Sequence, residues 1–178
     1  MSESLRSLAK KHAEHTRDRV TAQAKEYDDQ GEVPLPGYAG SLAAFALAVA
    51  GAAAAGRAKG GLPERYDLSD IALGAIATHK FTRLLSKGSV TSPIRAPFTE
   101  FDEPAGSAEL NETARGGRVR HTIGELLTCP FCLGQWVGTG YVAGLGMAPR
   151  TTRAWAAVFA VTGVADTLHQ VYARLRDD

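Results

Sequence analysis

Three things are scarce in this chain, and each scarcity narrows what the protein does. Charge of one sign is the first: 20 basic residues stand against 19 acidic ones. No general basic field is available to hold a nucleic acid, so none is expected as a partner. Cysteine is the second. Cys129 and Cys132 are too few for a disulfide scaffold and too close in sequence to staple distant segments. The third is an apolar leader, because "MSESLRSLAKKHAEHTRDRV" is polar and charged throughout, which argues against an ordinary cleavable signal peptide. Nor is there a Ser-His-Asp grouping, a glycine-rich phosphate loop or an HExxH pattern. The motifs therefore predict neither catalysis nor a cofactor.

What is present is unevenly distributed. A chain of 178 residues suits one ordinary domain. Residues 3–29 are helix formers of mixed charge, without glycine or proline. Leu5, Leu8, Val20 and Tyr27 are too sparse there for a substantial buried face, which predicts a solvated helical tail, one helix or two, over residues 1–32. His12 and His15 have metal-like spacing but read as part of that solvated face.

Then the charge vanishes. "VPLPGYAGSLAAFALAVAGAAAAG", residues 33–56, holds no ionisable group but Tyr38. Its length matches the roughly 20 apolar residues that cross a bilayer. The composition is lean, since Leu42, Phe45, Leu47 and Val49 each contribute about 0.5 kcal/mol to insertion and alanine almost nothing. A buried helix of a soluble bundle is the competing reading. Residues 68–88 look like a shorter span whose His79, Lys80 and Arg83 snorkel to a headgroup surface. Two further apolar stretches, 126–149 and 154–173, are separated by "RTTR" and predict an antiparallel hairpin. Between the second and third spans, Pro93, Pro97, Pro104 and Gly116–Gly117 mark a connecting loop over about 88–123.

These segments predict an all-α protein: a multi-pass membrane bundle of about four spans over residues 33–178, behind the polar tail. Lys80, Arg83, Lys87, Arg95, Arg115, Arg118 and Arg120 in the loop, with Arg174 and Arg176 in the C-terminal tail, put that side inside. An even number of spans then leaves both termini cytoplasmic, in a bacterial cytoplasmic membrane. The bilayer is the expected partner, joined by a second copy of the chain or another membrane protein. Gly134/Gly138 and Gly140/Gly144 have the spacing that lets membrane helices meet backbone to backbone.

Two places hold candidate chemistry. "TCPFC", residues 128–132, puts Thr128 at an N-cap and Pro130 in the first turn of a helix. Cys129 and Cys132 then lie at the positive end of its dipole, which favours thiolates. They are candidate redox or metal residues; a zinc site would need two more ligands, from His121, His79 or a second subunit. Close packing of small side chains is the plainer reading. Asp166 is the second. A carboxylate in a span costs about 2.5–3.5 kcal/mol to insert, so it should have a partner. Arg83 is the chosen one, in a structural intramembrane pair Arg83–Asp166, with Lys80 and His169 as alternatives.

The assembled motifs resemble a known family. "THKFTRLLSKGSVTSPIRAPFTEF" at 78–101 and "RHTIGELLTCPFCLGQWVGTGYVAGL" at 120–145 are similar to small bacterial membrane proteins classed as domain of unknown function thirteen-sixty, which include a sporulation-associated relative. The resemblance covers roughly 66–174 and implies a multi-pass membrane protein without supplying an activity. The expected role is a structural or interaction component. The alternative is a membrane-associated thiol-redox or metal-binding protein using the CPFC motif.

Overall fold

The computed structural model describes residues 3–31, 33–58, 60 and 63–177. The chain forms two compact units, Met1–Ala39 and Gly40–Asp178.

In the first unit, α1 (Glu3–Tyr27) is a single helix of 25 residues with exposed side chains along nearly all of the part whose burial is described. Too few apolar residues share one face to bury it. The Asp28 carboxylate then accepts from the Gly31 and Val33 amides at 2.9 and 2.7 Å. The sequence boundary at 32/33 adjoins residue 32, which lies outside the described residues.

α2 (Leu35–Ala58) begins in the first unit and continues through the second. Among the described residues it is the one helix long and apolar enough to cross a membrane. Three more long helices follow: α3 (Leu68–Lys87), α6 (Pro130–Met147) and α7 (Pro149–Asp177). Helices dominate the described residues, seven of them α-helical, as the all-α expectation requires. The "RTTR" stretch, expected as a link, lies in the first turns of α7; only Ala148 separates α6 from α7.

Ion pairs set the helix directions. Asp70 and Arg153, both early in their helices, are joined, as are Lys80 and Asp166 further along. α3 and α7 therefore run the same way. Tyr141, late in α6, donates its hydroxyl to the Asp70 carbonyl at 2.8 Å, so α6 runs against both. Between them lies a core of Ala77, Tyr141, Leu145 and Ala156, flanked by Tyr66, Leu73, Trp155 and Phe159. Phe81 stands edge-on to Trp155 and Phe159, with ring centres 5.2 and 4.8 Å apart.

The region expected as a loop is a small folded cap. After α3 come a tight 3-10 turn (Ser89–Thr91) and the short α4 (Ser92–Arg95). An antiparallel hairpin of β1 (Thr99–Gly106) and β2 (Glu109–Ala114) follows, then α5 (Arg118–Thr128). The strands correct the sequence reading, which found none. Pro104, read in sequence as marking a connecting loop, sits beside a register shift, where a strand tolerates proline. The hairpin turns on Ser107 and Ala108, with φ of 49° and 60°. Both are left-handed, as a two-residue type I′ turn needs, a role that usually shows in sequence as Asn-Gly.

Candidate functional site

Polar groups gather at three levels of the helical unit. The first is the joint between α3 and the cap. Arg95 is fully buried. Its Nη1 donates to the carbonyls of Leu85 and Gly88 at 2.7 and 3.1 Å and to Thr91 Oγ1 at 2.8 Å. Its Nε and Nη2 donate to the two Glu112 carboxylate oxygens at 2.8 and 2.7 Å. One planar fork therefore neutralises the negative end of α3 and grips β2 at once. Thr99 adds a 2.8 Å bond to Glu112.

Burial pushes the Glu112 carboxyl up, but the bonds from Arg95 and Thr99 and the charges of Arg95 and Lys87 outweigh it, leaving its pKa lowered from 4.5. The cap closes with Gly124 of α5 against the Phe98 carbonyl and Ala114. A Cβ at Gly124 would lie 2.6 Å from that oxygen. The sequence reading counted Arg95 only as one of several loop cations. A usable signal was the alternation in β2, which puts Glu112 on the same face as Leu110 and Ala114.

The second level is a polar cleft of ≈ 520 Å³ where α3, α7 and the hairpin turn converge. Here the expected Arg83–Asp166 pair is corrected. Asp166 is bound by Lys80, whereas Arg83 makes two parallel bonds of 2.7 Å to Glu109. Arg83 lies three residues beyond Lys80, and its direction carries it to the hairpin, an element the sequence had not revealed. His79 and His169 line the same cleft.

The third level, at the opposite end of α3, was missed. Asp70, 6 % exposed, takes two 2.7 Å bonds from Arg153. The Tyr141 ring lies so close to Gly74 that a Cβ there would collide with it. Tyr141 is thus a core residue. Trp136 meets Phe45 of α2 edge-on at 5.2 Å between ring centres.

Cys129 and Cys132 are joined as a disulfide in the first turn of α6. Cys129, rather than Thr128, is the N-cap residue, its Sγ accepting from the Cys132 amide at 3.1 Å. Thr128 instead closes α5. Cys132 is exposed, and so is Phe131, at 87 %. His121 pairs with Glu125 at 3.4 Å, and the described residues hold no group of three metal-ligating side chains. Of the glycines on α6, Gly144 packs on Thr152 of α7, while Gly134, Gly138 and Gly140 meet nothing within 4 Å. Gly134 and Gly138 line an apolar groove of ≈ 420 Å³ with Val49, Ala52 and Ala53 of α2.

A family model described as a protein of unknown function, DUF1360, matches residues 73–172. That stretch contains the first two levels, the cysteine pair and, of the third level, Arg153, Tyr141 and Gly74 but not Asp70. The sporulation protein YjcA of Bacillus subtilis (strain 168) is 27% identical over 107 residues, which are 58% of this chain and 91% of the relative. No solved structure matches the chain.

Proposed function

The chain belongs to the DUF1360 family, and on that premise we propose that it is a multi-pass protein of a bacterial cytoplasmic membrane with a structural or interaction role. In this reading α2, α3, α6 and α7 cross the bilayer, and the cap and both termini face the cytoplasm. One observation carries it: small side chains lie between the helices while large apolar ones point away. Ala77 and Ala156 are fully buried, whereas Leu47, Val158 and Val161 are 74%, 60% and 69% exposed. In water, leaving such a side chain exposed forgoes about 1.5–3 kcal/mol. In lipid it costs nothing, and small residues at the contacts are what close helix packing needs.

The opposed direction of α6 relative to α3 and α7, and the many cations of the cap, support the same topology. The reading is tested by alkaline extraction of membranes from cells making the full chain. It is expected to stay with the bilayer; recovery as a soluble, monodisperse protein without detergent overturns the reading. Sporulation is the process named for the relative from Bacillus subtilis, and we extend it to this chain as part of the proposal.

The disulfide supports a second reading, thiol–disulfide exchange at Cys129 and Cys132. On a reducing cytoplasmic side such a bond would be transient and catalytic or sensory. An external dithiol would reduce it, giving two cysteine thiols and one external disulfide, with two electrons and two protons transferred. Acid-trapped alkylation in cells discriminates. A pair shifting between oxidised and reduced forms supports exchange; thiols inert to alkylation in the folded, reduced protein support packing alone.

A further inference from the structure

The cleft at the hairpin end of α3 and α7 is built unlike a site for a simple ion. Two cations and two carboxylates line it, paired as Lys80 with Asp166 and Arg83 with Glu109. These four groups sum to no net charge. A lone anion or cation therefore gains little from the field, while a ligand carrying both signs meets a partner for each.

The geometry points to a ligand of the phosphoethanolamine class, a phosphate linked to a primary ammonium, and we propose that this cleft holds it as the headgroup of a membrane lipid. Each protein group has capacity left. An ammonium has three donors and a guanidinium five; Lys80 uses one on Asp166, and Arg83 uses two on Glu109. Each pair has one half-exposed member, Asp166 at 49% and Arg83 at 53%, against Lys80 at 25% and Glu109 at 20%. The half-exposed members, Asp166 and Arg83, can turn toward a ligand at little cost. The phosphate would take the free donors of Lys80 and Arg83, and the ammonium would bond to the carboxylates of Asp166 and Glu109. Its volume, ≈ 520 Å³, lies in the usual range for small-ligand sites.

The lipid source is argued from position, and this step rests on the membrane reading. The cleft opens where the apolar stretches of α3 and α7 end and the polar cap begins, which is headgroup depth in that topology.

The test is lipid retention by the purified full chain in detergent, read by native mass spectrometry. Phosphatidylethanolamine, phosphatidylcholine and phosphatidylglycerol are offered at equal concentration. The ethanolamine lipid is expected to be retained about tenfold over the other two, the worth of one charge-assisted hydrogen bond. The choline lipid keeps the charges but has no N–H to donate, and the glycerol lipid has no cation. In D166N and E109Q, each checked for folding by its melting temperature, the preference should fall below about twofold as that bond is lost.

Equal retention of all three lipids by the native chain overturns the proposal, as does preference for the glycerol lipid. Soluble glycerophosphoethanolamine is the remaining arm. Weak competition fits the lipid headgroup, and competition as strong as the lipid's overturns the lipid as the source. A chain that stays in membranes yet shows no preference sinks this inference and spares the membrane reading. A chain soluble without detergent sinks the membrane reading and the lipid source, leaving soluble glycerophosphoethanolamine to decide the ligand chemistry.

Discussion

Arg95 and Glu112 meet through two parallel hydrogen bonds of 2.8 and 2.7 Å, with side chains 0% and 5% exposed. The same guanidinium caps the carbonyls that end α3. Helix and hairpin thus share a single charged group, and loss of either partner leaves the other buried without its counter-charge. Arg95→Ala should destabilise the folded chain by about 3–5 kcal/mol. Arg95→Lys should recover little, because an ammonium cannot form the planar two-point contact. Thermal unfolding of the purified protein measures both.

Acid should loosen the same joint. The folded Glu112 carboxyl titrates below its ordinary value of 4.5, so the unfolded chain takes up the proton first as pH falls. The contribution of Glu112 is complete above that ordinary value and is lost as pH drops through the folded one. Denaturation midpoints followed downward from neutrality should decline more steeply in the native chain than in Glu112→Gln. Parallel curves would show that the joint does not depend on this ionisation.

Charge exchange distinguishes the partners of Asp166. Lys80→Asp with Asp166→Lys should restore abundance lost in either single variant. Arg83→Asp with Asp166→Arg should not, because Arg83 belongs to Glu109. In water, pairs this open couple by about 0.2–1 kcal/mol, and a larger recovery would point to a lipid surround.

The glycines divide into two classes. Gly74→Ala should destabilise by about 1–3 kcal/mol, since the added carbon meets the Tyr141 ring. Gly138→Ala meets nothing within 4 Å, and alanine is favoured over glycine in a helix by about 1 kcal/mol. Its melting temperature should be unchanged or raised. If Gly138→Ala nevertheless abolishes activity in cells or association with a second copy, that open ridge serves a partner.

Local pattern made the helices legible. Uncharged runs, capping residues and prolines announce where α2, α3 and α6 begin and end, because helix period and termini depend on neighbours within a few residues. The "TCPFC" turn was readable for the same reason, to within one residue of its cap. The pairing of charges was not. Lys80 and Arg83 differ by about 60° around α3 and ~4.5 Å along it, so either could have reached Asp166 until the rotation of α7 and the place of the hairpin were known. Arg95 and Glu112 are 17 residues apart in sequence, joined across a turn formed by residues with no strong turn signature. Side-chain chemistry set which groups needed partners; packing in three dimensions chose them, because that choice depends on distances no local pattern encodes.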